Sequence, residues 1–173
     1  NQTDKSTGLY KASNIAAILK AKEPRLPADV GIEHILLDSR KLLFPGTSLF
    51  FALDGPRRNG DAFIPELYAR GVRCFVVRDD FSAGDSFPEA VFLLVPDVLQ
   101  ALQALTAHHR QQFNLPVIGI TGSNGKTIVK EWLYQLLQDD YSIVRSPKSF
   151  NSQVGVPLSV WQLTTGHTLG IFE

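Results

Sequence analysis

Seven consecutive residues, Thr121-Gly122-Ser123-Asn124-Gly125-Lys126-Thr127, concentrate the chemistry of this chain. Glycines at 122 and 125 let a backbone curl until successive N–H groups converge on one anion. A helix beginning directly afterwards adds the positive end of its dipole. Lys126 is then placed to reach the β- and γ-phosphates of a nucleotide, and the Thr127 hydroxyl to take a position on Mg²⁺. The general pattern GxxxxGK[ST] is not met, because Ile120 stands where its first glycine would be and Gly119 lies one residue too early. The loop is therefore a variant. A lone Gly-Lys-Thr would more often be a glycine turn with a solvated lysine. Here the apolar run Val117-Thr121 before it and the amphipathic Ile128-Gln138 after it supply the strand and the helix that a phosphate loop requires.

A second group is Asp38-Ser39-Arg40, directly after the apolar run Ile35-Leu37. Ligands of open α/β sheets bind at the carboxyl ends of strands, where a serine hydroxyl and an arginine fork suit a diphosphate. The alternative is that Ser39 caps a turn and Arg40 is solvated. Cys74 falls inside an apolar run and reads as a core thiol. His108 and His109 are neighbours in a helical segment, so they point in different directions and do not share a metal. Trp132, on the apolar stripe of its helix, and Trp161, after Val160, read as packing residues.

The elements that must position these groups follow from periodicity. Short apolar, β-branched or aromatic runs recur at Ile35-Leu37, Ser48-Leu53, Cys74-Val77, Val91-Val95, Val117-Thr121, Ser142-Val144 and Thr168-Phe172. Several are apolar on both faces, as strands of parallel sheets are. Between them lie helix-period segments at Asn14-Lys20, Ala62-Arg70, Val98-Phe113 and Ile128-Gln138. Asp97, with Gln100 three residues on, has the form of a helix cap. Strands and helices alternate, so the fold class is α/β. The polar stretch Arg78-Ala90 reads as a loop. Asn114 and Pro116 interrupt the chain at Gln111-Pro116, which divides it into residues 1–112 and 113–173.

Composition sets the class. The chain has 173 residues, with 17 Lys+Arg balanced by 17 Asp+Glu, so bulk electrostatics supplies no attraction to nucleic acid or an anionic membrane. Apolar residues make up 44% and charged residues 20%, the proportions of a chain that folds around a core. No apolar run approaches the roughly 18 residues of a membrane span, and the polar start of the chain does not resemble a signal peptide. One cysteine excludes an internal disulfide, in keeping with the cytoplasm. There is no methionine, even at position 1, so the chain is read as a fragment.

The unbroken TGSNGKT of Thr121-Thr127 resembles the ATP loop of the Mur ligases and their folylpolyglutamate synthetase relatives. Leu37-Gly55 (LDSRKLLFPGTSLFFALDG), Asn59-Ile64 (NGDAFI) and Ala69-Val77 (ARGVRCFVV) resemble the N-terminal, UDP-binding domain of the MurE- and MurF-type members. A domain of that kind counts against the synthetases. Phe150-Leu158 (FNSQVGVPL) resembles an element of the MurF type, and His167-Glu173 (HTLGIFE) the strand that ends in the family's metal-binding glutamate. Two positions depart from the pattern: Asp61 stands where histidine is frequent, and Ser152 where the family has the second asparagine of a pair.

The resemblance implies a small UDP-substrate-binding α/β domain over 1–112, followed over 113–173 by the start of a parallel-sheet ATPase domain. It implies an ATP- and Mg²⁺-dependent ligase of peptidoglycan precursor synthesis that joins UDP-N-acetylmuramoyl-tripeptide to D-alanyl-D-alanine through an acyl phosphate. Residues Thr121 to Thr127 would bind ATP, with Lys126 catalytic. Thr127 and Glu173 would hold the metal, and Asp38, Ser39, Arg40, Asn151 and Ser152 would contact the substrate. A MurE-like ligase and a non-catalytic nucleotide-binding module are the alternatives. Only 46 residues follow Thr127, so the chain is expected to be an inactive, monomeric piece of such a ligase, without nucleic acid or a membrane span.

Overall fold

The computed structural model describes residues 10–55, 59–82, 85–147 and 153–173; Asn151 and Ser152 lie outside them. The chain forms two compact units, 1–104 and 105–173. In the first, β1 (Tyr10–Lys11), α1 (Ala12–Leu19), β2 (Lys22–Arg25), β3 (Gly31–Ile32), β4 (His34–Leu36), β5 (Ser48–Phe51), α2 (Ile64–Ala69), β6 (Cys74–Arg78) and β7 (Val91–Val95) lead into α3 (Val98–Gln111).

The main sheet has the order β2-β7-β6-β5-β4. Strands β4 to β7 run parallel, while β2 is antiparallel to β7 at one edge. Every residue of β5 is buried, which is why the parallel strands read as continuous apolar runs. In register, Phe50 stands opposite Phe75, and Phe75 opposite Phe92. The Phe75 and Phe92 rings stack at 5.5 Å, and Phe50 meets Phe75 edge-on at 6.3 Å. This aromatic row is the centre of a core completed by Leu36, Ile64, Leu67 and Val77. Cys74 is fully buried beside it in the sheet, and burial pushes its thiol up to about 12, far from a reactive thiolate.

The second unit contains β8 (Val117–Gly119), α4 (Lys126–Leu137), β9 (Ile143–Arg145), α5 (Gly155–Trp161) and β10 (Leu169–Phe172). Its sheet is parallel with the order β8-β10-β9, so the crossover through α4 leaves a place that β10 fills. Asp97 Oδ1 accepts the Gln100 backbone N–H at 2.9 Å and starts α3 as the cap expected there. The division between the units falls inside α3, earlier than the Asn114 and Pro116 signals place it. The reason is local. His109, near the end of α3, is buried, bonds the Leu163 carbonyl at 2.9 Å, and packs against Phe113 and Trp161 at 4.9 and 4.7 Å. Trp161 is thereby a packing residue, as its apolar surroundings predict.

Trp132 is not. Its side chain is 64% exposed, and Ile128, Val129 and Leu136 on the same face of α4 are exposed with it. The helix turns its other face, with Thr127, Lys130 and Tyr134, toward the sheet, where Arg145 lies over the Tyr134 ring at 3.6 Å and pairs with Glu131. The amphipathic pattern identified a helix correctly, but the packed face within this unit is the polar one.

Candidate functional site

The loop after β8, Ser146 after β9 and Glu173 after β10 meet at the carboxyl ends of three adjacent parallel strands, the edge at which open α/β sheets bind ligands. The loop turns through two left-handed glycines, Gly122 at φ 147° and Gly125 at φ 78°, conformations that a side chain would strain. Gly125 is also the N-cap of α4, so the helix starts directly at the loop. Residues 121–125 are exposed. Lys126 Nζ folds back across the loop and donates to the Gly122 carbonyl at 2.6 Å, a position from which it would exchange one oxygen acceptor for a phosphate oxygen.

The structure brings Thr127 and Glu173 together across 46 residues of sequence: Thr127 Oγ1 lies 3.0 Å from both carboxylate oxygens of Glu173. Glu173 is held from behind as well, its backbone N–H donating to Ser146 Oγ at 3.3 Å. A hydroxyl and a carboxylate side by side are hard oxygen donors, the set a small divalent cation takes when phosphates and water complete its shell. Thr127 and Glu173 therefore fit Mg²⁺. Sequence reasoning missed Lys130. It is fully buried one helical turn after Thr127, donating to the Ser146 carbonyl at 2.9 Å with Glu173 Oε1 3.4 Å away. The signal for it was the three-residue spacing from Thr127, which puts both on one helix face.

In the first unit, Asp38-Ser39-Arg40 lies just beyond β4. Asp38, not Ser39, caps the 3₁₀ turn Ser39–Lys41, accepting the Arg40 N–H at 3.0 Å. The Arg40 fork is engaged with the same carboxylate, Nε to Oδ1 at 2.9 Å and Nη2 to Oδ2 at 2.7 Å, on a side chain that is 87% exposed. Those hydrogen bonds from Arg40 hold the Asp38 carboxyl down to about 2. Ser39 is buried, and its carbonyl accepts from Arg70 Nη1 at 2.9 Å.

Residues 120–173 match the Mur ligase middle domain, and the chain belongs to the Mur ligase family. Within the family its similarity is to MurF. It is 36% identical over 148 residues to the Synechocystis UDP-N-acetylmuramoyl-tripeptide--D-alanyl-D-alanine ligase, a match covering 86% of this chain and 32% of that one. The crystal structure of MurF from Acinetobacter baumannii superposes with a TM-score of 0.83 at 28% identity, over 96% of this chain and 36% of that one. MurF ligase from Thermotoga maritima in complex with ADP superposes with a TM-score of 0.69 at 28% identity, over 82% of this chain and 31% of that one. The chain spans about a third of the length of the curated relatives it matches.

Proposed function

We propose that this chain carries the phosphate loop and the nucleotide-sugar-binding unit of an ATP-dependent ligase that joins D-alanyl-D-alanine to UDP-N-acetylmuramoyl-tripeptide in the cytoplasm. The observation that carries the reading is the Thr127–Glu173 pair standing at the mouth of TGSNGKT. The names of the relatives and the ADP in the Thermotoga complex support it.

The reaction has two steps. The terminal carboxylate of the tripeptide attacks the γ-phosphorus of ATP, forming an acyl phosphate and releasing ADP. The amine of D-alanyl-D-alanine then attacks the acyl carbon, loses a proton and expels inorganic phosphate, leaving the new amide. A carboxylate is a poor electrophile, and phosphorylation gives it a leaving group. Lys126 and the backbone N–H groups of residues 121–127 neutralise and position the transferred phosphoryl group. Thr127 and Glu173 would hold Mg²⁺, which supplies further charge neutralisation at the phosphates. Asp38, Ser39 and Arg40 would bind the UDP end, with Arg40 keeping its tie to Asp38 while presenting its remaining N–H donors to a diphosphate. Asn151 and Ser152 are assigned to the tripeptide side.

Isothermal titration tests it. The chain is expected to bind UDP-N-acetylmuramoyl-tripeptide saturably, with the affinity reduced by Arg40→Ala, and to bind MgADP with the affinity reduced by Lys126→Ala. A folded chain that takes neither ligand would overturn the reading.

A further inference from the structure

Lys130 takes no part in the scheme above, yet it is built into the same site. Its side chain and that of Glu173 are both fully buried. Lys130 Nζ donates to the Ser146 carbonyl at 2.9 Å and lies 3.4 Å from Glu173 Oε1 and 3.9 Å from Glu131 Oε1. Ser146 closes the ring by accepting the Glu173 N–H. A buried carboxylate is costly without a partner, and a cation that comes and goes with the nucleotide offsets that cost only while it is bound. Lys130 offsets it permanently, from the helix that also carries Thr127.

We propose that Lys130 is a built-in counter-cation for Glu173: it neutralises the empty site, so that a divalent cation gains its place together with the nucleotide's phosphates instead of ahead of them. The proposal rests on the assignment of Glu173 as the metal-holding carboxylate. A dication at Glu173 would stand close to a fixed positive charge in a poorly screened position. Lys126 at the loop adds a second cation, and only the anionic phosphates turn the balance. Lys130 is thus a positioning residue, acting through Glu173 on the order in which metal and nucleotide enter.

The test is calorimetric titration of Mn²⁺ into the nucleotide-free 173-residue chain. The unmodified chain is expected to bind no tighter than about 1 mM. Lys130→Gln keeps N–H donors for Ser146 and removes the charge, and should bind Mn²⁺ about ten-fold tighter or more. The double variant Lys130→Gln/Glu173→Gln should lose that gain. A folded Lys130→Gln chain with unchanged or weaker Mn²⁺ binding overturns the role of Lys130 while leaving Glu173 untouched. A gain that survives in the double variant shows instead that Glu173 is not the ligand, and the assignment beneath fails with it. Should Lys130→Gln not fold by circular dichroism, the unmodified chain decides: saturable nucleotide-free binding tighter than about 1 mM overturns the proposal, and weaker binding supports it.

Discussion

His109 shows how a single side chain ties pH to the stability of the second unit. Burial pushes its imidazole below the ordinary histidine value, and backbone contacts at Leu163 and Trp161 oppose that only in part. The unfolded chain therefore binds the proton more readily than the folded one between the lowered value and about 6.5. The stability due to neutral His109 is complete above about 6.5 and is lost as pH falls from there through the folded value. Urea midpoints at pH 7.5 and 5.5 should show the drop, and His109→Phe, which keeps an aromatic ring against Phe113 and Trp161, should narrow the difference. Asp38 has the opposite relation to acid. Its carboxyl is held at about 2 by Arg40, so its contribution is present above its unfolded value and is lost only as pH falls through about 2. A carboxyl titration followed by nuclear magnetic resonance should place Asp38 there, and Arg40→Ala should return it toward 3.8. The Glu173–Lys130 pair sets the largest expected single-residue cost. Glu173→Gln removes the buried carboxylate beside the Lys130 ammonium and leaves it only the half-exposed Glu131 carboxylate at 3.9 Å, which should cost about 3 kcal/mol in denaturant unfolding.

At the scale of elements, Gly60 fixes how the 3₁₀ turn Gly60–Phe63 and α2 meet the end of β5. A Cβ there would lie 2.4 Å from the Ala52 carbonyl carbon and 2.5 Å from the Leu53 oxygen, both backbone atoms that cannot swing aside. Gly60→Ala is expected to cost about 1–3 kcal/mol, or to displace the turn. Gly46, in the 3₁₀ turn Pro45–Thr47, has open space around the same position, and Gly46→Ala should leave the urea midpoint nearly unchanged. The sequence made the parallel strands legible because double-sided burial writes itself as unbroken apolar runs, as in Val91–Val95. It hid β2, because Lys22–Arg25 contains no apolar run; an antiparallel edge strand tolerates Pro24, and the register shifts there. It hid α5 too, because Gly155 and Pro157 look like breakers, although proline in the first turn forfeits no helical hydrogen bond. TGSNGKT was legible as a phosphate loop from its glycines and flanks. Lys130 was not, because periodicity reports that a helix has two faces and not which of them a neighbour covers.

On the scale of the whole chain the two units differ in how much they bury. Among the described residues, the cluster around Phe50 and Phe75 in the first unit has ten buried members, whereas the cluster of Leu115, Val144, Leu163 and Phe172 in the second has four, and Ile128, Val129, Trp132 and Leu136 are exposed along α4. Each buried aliphatic or aromatic side chain contributes about 1.5–3 kcal/mol, so the smaller cluster leaves the second unit with less to offset its conformational entropy. It should melt first. Both tryptophans of the chain, Trp132 and Trp161, lie in that unit, so tryptophan fluorescence reports on it alone while far-ultraviolet circular dichroism reports on both. On heating, the fluorescence midpoint is expected to precede the circular dichroism midpoint, and coincident midpoints would show that the units unfold together. MgADP, the ligand proposed for the second unit, should raise the fluorescence midpoint and close the gap between the two. UDP alone, the end of the substrate proposed to sit at Asp38, Ser39 and Arg40 in the first unit, should widen it. Two ligands moving two midpoints in opposite relation would connect the division of the chain to the proposed division of labour, since each unit would then be stabilised only by the ligand whose phosphates it is proposed to hold.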